Sequence, residues 1–209
     1  HTITHGIANA KPPLLIAHGL FGSGRNWGVI AKRLSDERQV IAVDMRNHGS
    51  SLHSDDHSYT ALADDLAEVI AAHGGQADVL GHSMGGKAAM VLALEHAEMV
   101  NRLTVADIAP VSYGHSQQQY INAMRALDLS RIEGRAEAQA ALLPLVEDPT
   151  LASFFTQSLD LKARQWRLNL AALEANMPQI LSFPTIDACF TGPALFLTGA
   201  TSHYVTRDH

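Results

Sequence analysis

Over the first half of the chain, short unbroken apolar runs alternate with longer stretches whose apolar residues recur every three or four positions. Leu14 to Ala17, Gln39 to Val43, Ala77 to Leu80 and Leu103 to Ala106 are runs of strand length. Between them, Trp27 to Leu34, Leu62 to Ala72 and Met84 to Glu95 carry helical spacing, as at Leu62, Leu66, Val69 and Ile70. Gly74-Gly75 stops the second of these helices. Strands that are apolar throughout, rather than on alternate residues, suit a parallel sheet covered on both faces. Ile3 to Ile7 reads as the remnant of a first edge strand. The expected class is α/β: a mostly parallel central sheet with helices on both faces.

From Val111 to about Ile186 the strand pattern stops. Helical stretches follow one another at Gln117–Leu127, Arg135–Leu143 and Leu159–Leu173, and Ala194 to Leu197 then resumes a strand. The expected division is a core of residues 1–110 and 187–209 with a helical lid at 111–186. The alternative is an extra helical layer without a gating role.

Composition narrows the classes. The chain has 209 residues, 46% of them hydrophobic, and a net charge of −6, with no basic face of the kind a nucleic-acid binder shows. No apolar run is long enough for a membrane helix, and no signal-peptide pattern stands at the start, although a chain opening on His1 leaves a removed leader possible. The single Cys189 forms no internal disulfide and fits a reducing cytoplasm.

The strongest motif is Gly81-His82-Ser83-Met84-Gly85-Gly86, set between a strand and a helix. A G-x-S-x-G turn in that setting strains its serine and pushes the hydroxyl out at the carboxyl edge of the sheet. There the helix N-terminus and its free N–H groups favour developing negative charge.

Together with that motif, His18-Gly19-Leu20-Phe21-Gly22, Asp44-Met45-Arg46-Asn47-His48-Gly49-Ser50-Ser51 and Ala106-Asp107-Ile108-Ala109-Pro110-Val111 resemble the bacterial YbfF-type esterases, members of the α/β-hydrolase superfamily. The likeness is dense up to Val111 and sparse afterwards, where Trp166-Arg167-x-Asn169 and Ser202-x-Tyr204-Val205 are its echoes. The resemblance implies the α/β-hydrolase fold with a helical lid insertion.

Acyl transfer needs two N–H donors for the oxyanion. One is expected from Met84, the residue after the nucleophile, and the other from Leu20, in the loop after the Leu14–Ala17 strand. Asp107, ending the strand after the nucleophile helix, should emerge beside Ser83 as the catalytic acid, and the resembled family uses an acid so shifted. The fold's usual order places the base on a loop after one further strand, so the catalytic histidine is expected beyond residue 209 and the chain is expected to be incomplete. His18 is read as a brace of the oxyanion loop. Phe21, His82, Trp166 and Arg167 are the expected substrate-binding residues, with Trp166 and Arg167 on a lid helix. Arg167 would attract an anionic acyl chain or a coenzyme A phosphate, with lid packing as the competing role.

His48, His53 and His57 with Asp55 and Asp56 match no zinc spacing and read as a solvated loop, and Asp44 with Arg46 as a turn-stabilising pair. No metal or cofactor is expected. The expected function is hydrolysis of carboxylic esters or acyl thioesters of small to medium acyl groups through an acyl-enzyme, with a small-molecule partner. A carbon–carbon bond hydrolase or perhydrolase would keep the same residues. A non-catalytic ligand binder, or an inactive fragment, is the alternative from another class.

Overall fold

The computed structural model describes residues 1–209. Six strands form one sheet: β1 (Thr2–His5), β2 (Leu14–Ala17), β3 (Val40–Val43), β4 (Ala77–His82), β5 (Val100–Ala106) and β8 (Ala194–Leu197). They lie in the order β1-β3-β2-β4-β5-β8. All neighbours are parallel except β1, which runs antiparallel to β3 at the edge.

Alternation along each strand divides the core into two layers. Ile16, Val40 and Ala42 turn toward α1 (Gly28–Leu34) and pack with Ala31 and Trp27. Leu15, Ala17, Ile41 and Val43 turn to the other face, toward α2 (Tyr59–Ala71) and α3 (Met84–Glu95). β8 departs from the expectation of strands covered on both faces. Pairing with β5 alone, it leaves Leu195, Phe196 and Leu197 about half exposed, at 52%, 51% and 48%.

Between β5 and β8 lie α4 (Gln118–Ala126), α5 (Arg135–Val146), α6 (Pro149–Thr156), α7 (Leu170–Ala175) and α8 (Met177–Leu181). The helix expected over Leu159–Leu173 is corrected. A hairpin of β6 (Leu159–Asp160) and β7 (Gln165–Trp166) turns at Arg164, which has a left-handed φ of 53°. Asp160 holds that turn by accepting the N–H groups of Lys162 and Ala163.

Hydrogen bonds tie the inserted segment to the loops and helices around the sheet at several places. Asn169 N–H donates to Asn47 O at 2.9 Å, and Gly49 N–H to Arg167 O at 2.8 Å. At the far end, Tyr59 Oη donates to Ile180 O at 2.6 Å, and Lys87 Nζ to Leu181 O and Ser182 O at 2.9 and 2.6 Å. These are carbonyls at the end of α8, which the helix itself cannot pair. No helix is long and apolar enough to cross a membrane.

Three glycines let α3 lie against the sheet. A Cβ on Gly81 would overlap the Gly85 carbonyl, one on Gly85 the carbonyl oxygens of Ala17 and His18, and one on Gly86 would stand 2.6 Å from Ile108 Cγ2. Since the Gly85 obstacles are backbone, Gly85→Ala should act as core overpacking, costing about 1–3 kcal/mol. Calorimetry should then show a thermal midpoint lowered by roughly 2–12 °C at this chain length; an unchanged midpoint would mean that the α3–β2 approach is loose.

Candidate active site

The parallel register of β4 and β5 brings His82 opposite Ala106, so the residues that follow, Ser83 and Asp107, leave the sheet side by side. Ser83 N–H donates to Ala106 O at 3.0 Å, and Asp107 N–H to Leu197 O at 2.7 Å. Both residues turn sharply there, at left-handed φ values of 52° and 56°. Such strain in non-glycine residues persists only where the surroundings enforce it, and it concentrates at functional sites.

Ser83 and Asp107 open into a cavity of about 440 Å³ that has a mainly apolar lining. Leu20, Phe21, His82 and Met84 line it too, so six of the residues expected at the site converge there. Met84 begins α3, and its N–H is one of the first-turn donors that no helix satisfies. Leu20 N–H has no partner within the protein. The Asp107 carboxylate accepts from Thr198 Oγ1 at 3.3 Å and Gly199 N–H at 3.4 Å, bonds that lock it to the loop after β8. Burial pushes the His82 imidazole below its ordinary pKa, against a smaller opposing pull from Asp107.

Trp166 and Arg167 are not at the cavity, and neither is on a helix. Trp166 lies in β7, and its indole N–H donates to Met124 O at 2.9 Å, a packing role within the inserted segment. Arg167 Nη2 pairs with Asp160 at 2.8 Å, so its charge is already engaged.

The Asp44–Arg46 pair is also corrected. Arg46 forms a two-pronged bond with Asp65 on α2, at 2.6 and 2.8 Å. Asp44 instead accepts the N–H groups of Gly24 and Ser50.

The solvated-loop reading of the histidine segment fails for His48 and His57, which are 0% and 1% exposed. With His18 they form a row of rings, His18 edge-on to His48 and His57 tilted against it, at centroid separations of 5.1 and 5.9 Å. Each ring has one nitrogen accepting an N–H: Met45 to His18 Nε2 at 3.0 Å, Phe21 to His48 Nε2 at 3.1 Å, and Asn47 Nδ2 to His57 Nδ1 at 3.1 Å. The other nitrogens then donate, to Gly19 O, Arg46 O and the Met84 sulfur. Burial holds all three neutral, lowering His18 and His57 to about 4 and His48 well below its ordinary value. His18 is therefore a brace of the loop that carries Leu20, with two more histidines behind it. No group of three or more His, Cys, Asp or Glu residues is arranged to hold a metal.

Sequence reading missed Lys87, which lines the cavity one helical turn after Ser83 and is 1% exposed. Besides the two α8 carbonyls, its ammonium faces the Tyr113 ring at 4.8 Å, and burial lowers its pKa to about 8. Its place in Gly85-Gly86-Lys87, on a helix with no polar face, was the available signal.

The sequence matches the α/β-hydrolase fold family over residues 12–206. It is 38% identical to the sn-1-specific diacylglycerol lipase ABHD11 of Danio rerio, covering 99% of this chain and 69% of that protein. To Esterase YbfF of Escherichia coli K12 it is 35% identical, covering 94% and 77%. Among solved structures, a marine microorganism esterase superposes with a TM-score of 0.92 at 37% identity, over 100% of this chain and 83% of that one.

The histidine row sets an acid limit on stability. For His18 and His57 the unfolded chain binds protons near pH 6.5 and the folded chain only near 4, so stability is full above 6.5 and falls as pH drops toward 4, by up to about 1.4 kcal/mol per unit for each of the two. The thermal midpoint should drop by at least about 5 °C between pH 7 and pH 5; a flat midpoint would mean that these rings are charged in the folded state.

Proposed function

The chain belongs to the α/β-hydrolase family, and from that membership we propose that it cleaves carboxylic esters or acyl thioesters of small to medium acyl groups, with Ser83 as nucleophile. As a member whose relatives include named esterases and lipases, it is a carboxylesterase-type hydrolase of class EC 3.1. The observation that carries the assignment to Ser83 is its strained turn at the wall of an apolar cavity, beside two N–H groups without partners.

In this reading, Ser83 Oγ attacks the carbonyl carbon while a histidine takes its proton. The carbonyl π electrons move to oxygen, which the Leu20 and Met84 N–H groups hold. The C–O or C–S bond then breaks, and the leaving group departs with the proton the histidine returns. Water attacks the acyl-enzyme by the same steps, releasing the acid and regenerating Ser83.

We assign the base to neither His18 nor His209. His18 has both ring nitrogens engaged with backbone, and His209 Nδ1 accepts the Thr206 N–H. Asp107, anchored by Thr198 and Gly199, supplies the orienting carboxylate. The helices between β5 and β8 act as the lid. Cavity size and apolar walls favour an acyl chain of a few carbons over a polar or charged one. The exposed, unpaired Cys189 is in keeping with a reducing cytoplasm.

A fluorophosphonate probe tests the assignment. With the full-length protein, one label is expected, on the peptide containing Ser83, and none on Ser83→Ala. Ser83→Ala should also lose at least about 1,000-fold in kcat on p-nitrophenyl butyrate. Labelling at another residue, or full activity in the variant, would remove Ser83 from the mechanism.

A further inference from the structure

Residues Gly19 to Gly22 form a four-residue turn closed by Gly22 N–H donating to Gly19 O at 3.0 Å. Its third residue, Phe21, has a φ of 64°. A turn with positive φ at that position normally carries Gly or Asn, and an aromatic residue there is strained. Three contacts on one residue hold it. The Phe21 ring meets Phe155 edge-on at 5.5 Å, its carbonyl accepts from Ser158 Oγ at 3.1 Å, and its N–H donates to His48 Nε2.

The third contact differs in kind, because it fixes the Leu20–Phe21 peptide plane from the side of the neutral histidine row. His48 Nδ1 donates to Arg46 O at 2.8 Å, so the tautomer with Nε2 free to accept is the one enforced. If that peptide rotates, the turn changes type. The Leu20 N–H lies on the preceding peptide, coupled to this one through the Leu20 Cα.

We propose that His48 is a positioning residue of the oxyanion hole, holding the strained Leu20–Phe21 peptide by accepting the Phe21 N–H through Nε2. This rests on the assignment of Leu20 as an oxyanion donor. A proton on Nε2 turns the acceptor into a donor facing another donor, and the peptide is released. The groups around His48 oppose that proton. His18 faces it from the end of β2, and His53 and His57 from its own loop. The Arg46 charge is paired with Asp65, and on the inserted segment Arg167 is paired with Asp160.

The test is kcat and KM for p-nitrophenyl butyrate from pH 4 to 8 in the full-length protein, His48→Leu and His48→Gln, with circular dichroism at each pH to fix the folded fraction. Removing a whole oxyanion donor costs about 10²–10³ in kcat. His48→Leu, which only frees the donor, should lose about 10–100-fold in kcat per folded molecule, with KM within about 3-fold. Gln Oε1 can accept the same N–H without titrating, so His48→Gln should regain most of that kcat. In the parent protein, log kcat should steepen toward the acid end of that range, from one proton per unit, due to the catalytic base, to more than one. His48→Gln should keep a slope of one.

Equal kcat per folded molecule in His48→Leu, or the same steepening in His48→Gln, would overturn the proposal. A parent protein that neither turns over the ester nor takes the fluorophosphonate label would instead refute the reading of Ser83 on which it rests.

Discussion

At the end of β4 the backbone reverses at φ 52°, ψ −121° and enters α3 with no intervening loop. It can do so only because the helix lies within backbone contact of the strand it has just left and of β2 beside it. Gly81, Gly85 and Gly86 make that distance possible, since each stands where any side chain would strike a neighbour. Much at the cavity follows from this closeness. It puts the first N–H groups of α3 next to the loop leaving β2, while the β4–β5 register sets Ser83 beside Asp107. It also brings Lys87, one turn along, under the last turn of α8. The strained serine is the local cost of the arrangement, offset by a fully buried helix from Met84 to Ala93.

The second constraint is polar. Three histidines lie inside the protein with every ring nitrogen bonded, mostly to backbone, and their neutral state lets them accept as well as donate. They connect the loop after β2, the loop after β3 and the start of α3. Apolar residues of the same size could fill that space but could not receive the N–H groups of Met45 and Phe21, which would then be buried without partners. The row is thus a scaffold for backbone direction rather than for volume.

What the sequence made legible was whatever depends on local punctuation. The limits of α3 and β8 could be read to the residue, because glycines and short apolar runs mark them, and the convergence of Ser83, Asp107, Leu20 and Met84 follows from strand order. The hairpin at 159–166 was hidden because its strands are two residues long and sit in a leucine-bearing stretch that also fits a helix. The buried histidines were hidden because His53-Ser54-Asp55-Asp56-His57 is polar by composition. His57 is buried by contacts with Asn47 and Met84, which no local pattern encodes. Arg167 was misplaced for a related reason: its partner Asp160 is seven residues away, within reach only once the hairpin forms.

The two tethers of the inserted segment bear on how a substrate would get in. One is made backbone to backbone through Asn47, Gly49, Arg167 and Asn169; the other holds the end of α8 by Tyr59 and a buried ammonium. Swinging the segment away as a rigid flap would break both sets at once and strand Lys87 without its acceptors. The wall free to yield is the stretch ahead of both tethers, where Tyr120, Leu151 and Phe154 face the cavity. Admission would then be a matter of side chains rotating on the picosecond-to-nanosecond scale rather than of a hinge opening over microseconds to milliseconds. Which acyl chains fit would be decided by how far one phenylalanine can turn.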